Sequence, residues 1–244
     1  MDTMSLRKLA RSSLATLGFK VSRVPHGVGG NAFADMKRLI GHDHPLIFDV
    51  GANIGQSVEL FRSYFAHAQM HSFEPSPSVF QKLKENTGKY KTGQHAWNCA
   101  LGSSNAQLQL LENRSAEWTS FLKPSSEGVG AVTREVIVPV RTVDEFCHEQ
   151  NIRSIDILKS DTQGFDLEVL KGATEMFARN AVRLVYCELI IANLYEGMPP
   201  FGDVCNFLTS HGFELVSFYD ISYARGLACW TDGLFIHRST KAAS

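Results

Sequence analysis

The sequence predicts a doubly wound α/β fold, with a mostly parallel seven-stranded sheet and a terminal antiparallel strand. Short β-prone apolar runs alternate along the chain with segments whose apolar residues recur at helical spacing. Strands that alternate with helices form parallel sheets, because each parallel connection needs a crossover. At 244 residues, with 44% hydrophobic and 20% charged residues, the chain has the size and composition of one globular domain.

Seven short segments have the composition of β-strands. The first is an apolar, β-prone run framed by Pro45 and Gly51, which stop it at both ends. β-branched, aromatic and other apolar residues are frequent in the later segments as well. The predicted strands cover residues 46–50, 70–73, 95–100, 155–159, 183–190, 214–219 and 233–237.

Helices are predicted where apolar residues recur every three or four positions. Directly after Gly55, the spacing of Val58, Phe61 and Phe65 is helical. The other predicted helices cover residues 77–89, 143–150, 166–178 and 201–212.

Residues 107–140 depart from this alternation. Two β-prone stretches, at 108–110 and 136–140, surround a polar segment rich in Ser and Gly. This pattern predicts a hairpin or flap inserted into the doubly wound core. Because no repeat or linker divides the rest, we predict a single domain over residues 31–240 that carries this flap.

Residues 1–30 are predicted to form a separate basic, amphipathic helical extension. Basic residues outnumber acidic ones there, and Leu6, Leu9 and Leu14 can share one helical face. Basic amphipathic helices bind membrane surfaces, so a peripheral membrane contact through residues 1–24 is one hypothesis. The favoured interpretation is a helix that packs on the domain or caps its ligand cleft.

A glycine-rich turn follows the first predicted strand. In the run from Asp49 to Gly55, DVGANIG, the glycines allow a sharp turn and the close approach of a ligand to the main chain. The helix that starts there offers unpaired N–H groups to the same ligand. The turn therefore predicts a nucleotide-like ligand.

Two acids indicate which nucleotide this is. Asp49 precedes the turn, where a carboxylate is unfavourable beside a pyrophosphate but favourable beside the cationic amino-acid end of S-adenosylmethionine (SAM). Glu74 closes the second predicted strand and can accept hydrogen bonds from ribose hydroxyls. The glycine spacing also departs from the G-x-G-x-x-G of dinucleotide-binding proteins, which disfavours an NAD-dependent oxidoreductase. The predicted cofactor is SAM.

The chain resembles the FkbM-type SAM-dependent methyltransferases over residues 46–237. The motifs that carry the resemblance are DVGANIG at 49–55, FEPSP at 73–77, NCALG at 98–102, RTVDEF at 141–146, DILKSDTQG at 156–164, LEVLKGA at 167–173 and WTDGLF at 230–235. The sequence departs from the family at Gln163, where many members carry an acid. The resemblance implies a Rossmann-like fold and O-methylation of a hydroxyl on a sugar, polyketide or related natural product.

The motifs and the resemblance together give a set of expected cofactor contacts. Most follow the first two strands, and Asn98 could meet the adenine or its ribose edge as readily as it could form a turn. The expected cofactor-binding residues are Asp49, Gly51, Ala52, Asn53, Gly55, Glu74, Pro75, Asn98, Ala100 and Asp161.

Polar residues at the carboxyl ends of later strands are the catalytic candidates. An alcohol acceptor must lose its proton, and a carboxylate within reach would help. Asp161 is the favoured base or orienting group, with an N-cap of the following helix as its alternative, and Glu188 is the second candidate. Lys159 lies on the same strand face as Asp161, so it can pair with that acid and lower its pKa. Aromatic residues such as Trp118 are expected to help build an acceptor pocket.

Metal assistance is an alternative mechanism, but no metal site is predicted. Asp161 and Glu188 offer oxygen ligands that suit Mg²⁺, yet two acids make an incomplete site. His42 and His44 have ligand-like spacing, but Gly41 and Pro45 frame them as a turn before a strand.

The charge and the cysteine pattern of the chain limit the kinds of partner that we expect. A net charge of −1 gives no sign of nucleic-acid binding. Five widely spaced cysteines without a C-x-x-C pair predict reduced thiols and a cytoplasmic protein. The expected partner is a small-molecule or glycan hydroxyl acceptor. A SAM-binding protein without catalysis is the other function class that the fold allows, and the sequence leaves the oligomeric state and the acceptor open.

Overall fold

The computed structural model describes residues 28–241, and a central sheet runs through them. The strands are β1 Leu46–Val50, β2 Gln69–Phe73, β3 Gln94–Trp97, β4 Ala100–Leu101, β5 Ala106–Asn113, β6 Val132–Arg141, β7 Ile155–Ser160, β8 Val182–Ile190, β9 Phe213–Ala224 and β10 Leu227–His237. The α-helices are α1 Ala32–Ile40, α2 Gln56–Tyr64, α3 Pro77–Thr87, α4 Val143–Glu149, α5 Asp166–Lys171, α6 Thr174–Ala178, α7 Phe201–Ser210 and α8 Arg238–Lys241.

The main sheet has seven strands in the order β3-β2-β1-β7-β8-β10-β9. In this sheet, neighbouring strands among β3, β2, β1, β7 and β8 pair in parallel, whereas β10 is antiparallel to both of its neighbours, β8 and β9. From β1 the chain first winds outward through β2 and β3, and it later returns to place β7 on the other side of β1. This reversal is a switch point, where open α/β sheets bind their ligands. The predicted doubly wound sheet with a terminal antiparallel strand is confirmed.

Both faces of the sheet are covered, which explains the apolar runs of the inner strands. Adjacent residues of a strand point to opposite faces. Accordingly, Ile47 and Ile157 pack in one buried cluster with α1 and α2. Phe48 and Leu158 pack in a second cluster with residues of α4, α5, α6 and α7.

Capping residues set where several helices begin. Ser76 caps α3 through a hydrogen bond from the Val79 N–H, with Pro77 in the first turn, and Thr142 caps α4 in the same way. Gly55 precedes α2 in the left-handed conformation and offers no side-chain cap. The N–H groups at the start of α2 thus have no capping side chain, as the sequence predicted for a ligand-binding turn.

The predicted bounds of four elements were wrong. The predicted strand 95–100 is two strands, because the Asn98 amide donates to the carbonyls of Glu74 and Pro75 at 2.8 and 3.0 Å and fixes a turn there. The predicted helix 166–178 is two helices, because the Asp144 carboxylate accepts from two N–H groups at the start of α6. The last two strands also extend well beyond their predicted limits.

The inserted segment forms a second, three-stranded sheet in the order β4-β6-β5. β5 and β6 pair as an antiparallel hairpin, and the polar residues between them include a 3-10 turn at Ala116–Trp118. The predicted extension falls largely on residues 1–27, which lie outside the described part of the chain, and α1 was not predicted. Among residues 28–241, no helix is long and apolar enough to cross a membrane.

The turn after β1 packs against the turn after β7. Gly51 has φ 75°, and a Cβ atom built on it would lie 1.9 Å from the carbonyl oxygen of Asp161. The N–H of Asp161 in turn donates to the carbonyl of Val50 at 3.1 Å. No side chain fits between these two backbones, so the glycine is required by space as well as by φ.

We predict that Gly51→Ala lowers the free energy of unfolding by about 3 kcal/mol, because it adds a backbone overlap to the cost of a left-handed conformation. Gly197→Ala is the matched control, since Gly197 has φ 71° and a Cβ atom added to it would meet no other atom within 4 Å. That variant should lose about 1 kcal/mol. Urea unfolding measures both, and equal losses would contradict the claimed close approach.

Candidate active site

A cleft of about 510 Å³ opens at the carboxyl ends of β1, β2, β7 and β8. This volume is in the range of small-molecule sites. Residues of the inserted segment and of β10 complete its walls. The cleft therefore lies at the switch point of the sheet, where the sequence placed the ligand.

Most of the predicted site residues come together in this cleft. Ten were expected to contact the cofactor and three to act in catalysis, with Asp161 in both sets. Those that line the cleft are Gly51, Ala52, Asn53, Glu74, Pro75, Ala100, Lys159, Asp161 and Glu188.

Three predicted cofactor contacts do not line the cleft: Asp49, Gly55 and Asn98. Asp49 is fully buried beneath the turn. Gly55 serves the turn through its φ of 96° and its packing against α3. Asn98 is held by the backbone carbonyls described above. In this structure all three support the turns that carry the site, and none of them forms its surface.

Asp49 and Lys159 form a buried ion pair on neighbouring strands. The two residues are register partners on β1 and β7, and Lys159 Nζ lies 3.1 Å from Asp49 Oδ1. The contact is electrostatic, since Oδ1 accepts no well-aligned hydrogen bond. Asp49 Oδ2 accepts from the Ser57 hydroxyl at 2.6 Å. The pair thereby links the two strands at the switch point to the start of α2.

The same ammonium group also contacts Asp161. Lys159 Nζ lies 3.6 Å from Asp161 Oδ2, as the sequence predicted, and the Asp161 side chain is 45% exposed in the cleft. Burial by itself would lower the pKa of Lys159, but the charges of Asp49 and Asp161 outweigh it and raise that pKa above its usual value. Lys159 is therefore a permanent cation shared by two carboxylates.

Glu74 is a buried acid at the end of β2. Its two oxygens accept from the N–H groups of Asn53 and Ser76, at 3.0 and 2.8 Å. Burial raises the pKa of Glu74 to about 7, although these hydrogen bonds oppose that rise. A carboxylate has lone pairs beyond these two bonds, so it can still accept from a ligand hydroxyl.

Gln163 connects the two catalytic candidates. Its Nε2 donates to Asp161 Oδ1 at 3.3 Å and to Glu188 Oε2 at 3.0 Å, while its Oε1 accepts from the Tyr195 hydroxyl at 2.8 Å. Tyr195 thus fixes the orientation of the amide. Gln163 has φ 55°, an uncommon conformation for a residue with a side chain. Burial, and then the negative charge of Asp161, raise the pKa of Glu188 well above its usual value.

Two polar groups of the cleft, Asp232 and Tyr186, were not among the predicted site residues. The Tyr186 hydroxyl donates to Asp232 Oδ2 at 2.8 Å, and both residues line the cleft. Burial raises the pKa of Asp232 to about 6, against the opposing hydrogen bond from Tyr186. The WTDGLF motif contained Asp232, but the pairing of β10 beside β8 could not be read from the motif alone.

Aromatic side chains form part of the cleft wall. Trp118 of the inserted segment and Trp230 of β10 meet edge to face, with ring centroids 5.8 Å apart. Phe121, a second aromatic residue of the inserted segment, lines the cleft, and Phe33 of α1 joins it from a helix that was not predicted. Trp118 thus lies in the cleft, and its part in an acceptor pocket stays a prediction.

The acids of the cleft do not form a metal site. Among residues 28–241, no group of three or more His, Cys, Asp or Glu side chains is placed to hold a metal ion. His42 instead lies near Asp156 and Arg183, away from the cleft. We therefore derive no step through a metal.

A family model described as "Methyltransferase FkbM domain" matches residues 49–215, which is more than half of the chain. The chain belongs to the FkbM methyltransferase family. The match spans the glycine turn, Glu74, Asp161 and Glu188. The family predicted from the sequence motifs is thereby confirmed.

Three curated relatives illustrate this family. The chain is 27% identical to the 2-O-methyltransferase NoeI of Sinorhizobium fredii over 214 residues, 83% of each chain. It is 26% identical to the hexuronic acid methyltransferase AglP of Haloferax volcanii over 171 residues, 68% of this chain and 64% of that protein. It is 22% identical to the 31-O-demethyl-FK506 methyltransferase FkbM of Streptomyces tacrolimicus over 209 residues, 73% of this chain and 76% of that protein.

As an FkbM methyltransferase, the protein uses SAM, and the cleft has features that fit this cofactor. The buried atoms Asn53 Oδ1 and Thr162 Oγ1 have no hydrogen-bond partner among the described residues, although both residues line the cleft. Buried polar groups are normally satisfied, so these two atoms are available to a ligand. Acidic lining around them suits a cationic ligand.

We predict that the apo protein loses stability as the pH rises from about 5 to 8. The pKa of Glu74 is about 7 in the folded state against an ordinary 4.5, so the folded state binds more protons than the unfolded state in this window. The free energy of unfolding must then fall with rising pH, by about 3 kcal/mol from this group. Urea unfolding at pH 5 and pH 8 measures the fall.

Glu74→Gln should lower this pH dependence by the share of this one carboxyl group, since Asp232 and Glu188, whose pKa values are also raised, keep their own contributions. Glu85→Gln, on the exposed surface of α3, is the matched control and should keep the wild-type slope. An unchanged slope in Glu74→Gln would show that this carboxyl group is not the source.

Proposed function

We propose that this methyltransferase transfers the methyl group of SAM to a hydroxyl of a sugar or related natural product. The observation that carries the proposal is the order of polar groups along the cleft. Glu74 follows β2, Gly51 follows β1, Asp161 follows β7 and Glu188 lies on β8, in the order of the strands across the sheet. The names of NoeI and AglP, an O-methyltransferase and a methyltransferase of a sugar acid, support this substrate class.

In this proposal the cofactor lies over β2 and β1. The Glu74 carboxylate accepts hydrogen bonds from the ribose, and the backbone at Gly51 and Ala52 borders the amino-acid end. Asn53 Oδ1 and Thr162 Oγ1 find partners on the ligand. Asp49 acts through Lys159 from beneath the turn. SAM supplies, when bound, an activated methyl group that passes to the acceptor oxygen and leaves neutral sulfur.

The acceptor then lies over β7 and β8, where Asp161 accepts its hydroxyl proton. Asp161 is the better candidate for the base because its side chain is 45% exposed in the cleft, where an acceptor hydroxyl can reach it. Burial, and then the charge of Asp161, raise the pKa of Glu188 well above its usual value, which favours the protonated form of this acid. A protonated carboxyl group can donate a hydrogen bond to the acceptor but cannot take its proton.

The inserted segment helps to close the cleft over these groups. The Ser120 hydroxyl donates to the carbonyl of Gln163 at 2.7 Å, and Pro124 forms a backbone bridge with Tyr195. These contacts fix the segment that carries Trp118 against the turn that carries Asp161 and against the loop that follows β8. Exclusion of water by such a cover strengthens the electrostatic interactions inside.

We predict that Asp161→Asn lowers kcat by about 10²- to 10⁴-fold, the usual contribution of a general base. Glu188→Gln introduces an uncharged hydrogen-bonding group, like the protonated carboxyl that the raised pKa of Glu188 favours, so its loss should stay below about tenfold. The measurement is transfer of tritiated methyl from SAM to a methyl glycoside. Asp203→Asn, on the exposed surface of α7, controls for the loss of one acid.

A larger loss in Glu188→Gln than in Asp161→Asn would assign the base to Glu188. Near-wild-type rates in both variants would contradict general-base catalysis by this pair. Calorimetric titration of each variant with SAM separates lost catalysis from lost cofactor binding.

A further inference from the structure

The cleft is strongly acidic. Six acidic side chains line it, and among the described residues Lys159 is the one basic side chain that does so. The acids are Glu74, Glu117, Asp161, Glu188, Asp220 and Asp232. Of these, Glu74 belongs to the cofactor end, and the other five surround the acceptor end.

The charge of Lys159 is already committed. It lies between Asp49 and Asp161, at 3.1 and 3.6 Å, and also donates to the carbonyl of Gly51 at 3.3 Å. It therefore cannot offset Glu188 or Asp232 as well. A bound SAM adds one net positive charge, which is fewer than the acids that remain.

Two of the remaining acids face each other across a strand pair. Asp232 on β10 is the register partner of Glu188 on the antiparallel neighbour β8. Residues directly opposite in such a pair have their side chains on the same face, and like charges there are destabilising. Asp220, on β9, lines the cleft next to them. Two acids held face to face cost stability. Such a cost at a ligand site indicates that the acids serve to bind a particular group of the ligand.

The wall opposite these acids is aromatic. The edge-to-face rings of Trp118 and Trp230 border the same part of the cleft. Aromatic rings accept the apolar face of a sugar ring, and they attract cations through their π-systems. Carboxyl groups beside them accept hydrogen bonds from hydroxyl or ammonium groups.

We propose that the acceptor is a neutral or amino sugar, and that Glu188 and Asp232 exclude acceptors with a carboxylate, sulfate or phosphate beside the methylated hydroxyl. This inference rests on the proposed function. An anionic group at this position would lose its hydration beside Asp232 and Asp220, and among the described residues no uncommitted basic side chain lines the cleft. A hydroxyl or ammonium group would be stabilised by the same side chains.

Family membership does not decide the charge of the acceptor. AglP is named for a hexuronic acid, whereas the name of NoeI specifies no charge. The discrimination must come from side chains of this chain. Asp232 is the residue to test, because it lies opposite Glu188, is held by Tyr186 and has no role in the proposed proton transfer.

The test measures kcat/KM with tritiated SAM for methyl glycosides of matched neutral, amino and uronic sugars. The panel contains glucose, glucosamine and glucuronic acid, their galactose counterparts, and the neutral deoxyhexoses. We expect methylation of neutral or amino members, with kcat/KM at least about tenfold above that of the matched uronic acid. Equal or better use of the uronic acid would overturn the inference.

Two further outcomes separate this inference from the proposed function. If calorimetry shows that SAM binds but no neutral or amino sugar is methylated, the inference is wrong and the cofactor assignment stands. If SAM does not bind, the proposed function itself fails.

Asp232→Asn identifies the residue responsible. We expect this variant to lower the ratio of neutral to uronic kcat/KM severalfold, chiefly through better use of the uronic acid. The Asp203→Asn control should keep the wild-type ratio, and thermal unfolding checks that both variants fold. A ratio that is unchanged in Asp232→Asn would remove Asp232 from acceptor selection.

Discussion

The buried ion pair between Asp49 and Lys159 is the interaction on which the site depends. It joins β1 to β7 at the point where the winding of the sheet reverses, and those two strands end in the turns that border the ligand. Taking two charges out of water is costly, and each is stable there only because the other is present. Lys159 is also the register partner of Tyr186 on β8, whose hydroxyl binds Asp232 on β10. Polar side chains at this level of the sheet therefore extend from the cofactor end of the cleft to its acceptor end.

Among the described residues of the cleft, Lys159 is the one basic side chain. Because it is paired with Asp49 and Asp161, it affects the other acids of the cleft unequally. Asp161 shares the cation, whereas Glu188 and Asp232 form no ion pair with a basic side chain among the described residues. Burial and the negative charge of Asp161 raise the pKa values of both Glu188 and Asp232, that of Asp232 to about 6. A single lysine thus compensates only part of this group of neighbouring acids, so its members differ in how readily they hold a proton.

Local patterns in the sequence predicted the strands, the glycine turn and the acids at strand ends, because each of these depends on neighbouring residues. They could not predict that Asp49 lies beneath the turn, since its burial follows from the side-by-side pairing of β1 and β7, which are separated by about a hundred residues. Asp232 and Tyr186 were missed for the same reason. The position of β10 between β8 and β9 brings them into the cleft, and antiparallel register is not encoded in either strand alone. Asn98 stays a predicted cofactor contact, and in this structure its side-chain amide holds the turn after β3, which is the alternative that the sequence also allowed.

A double-mutant cycle on Asp49→Asn and Lys159→Met tests the central claim most directly. Each single variant leaves one buried charge without its partner and should lower the free energy of unfolding by about 3 to 5 kcal/mol. The double variant should lose clearly less than the sum of the two, because neither charge remains to be compensated. Losses that simply add would contradict the account, since they would mean that the two residues stabilise the switch point independently of each other.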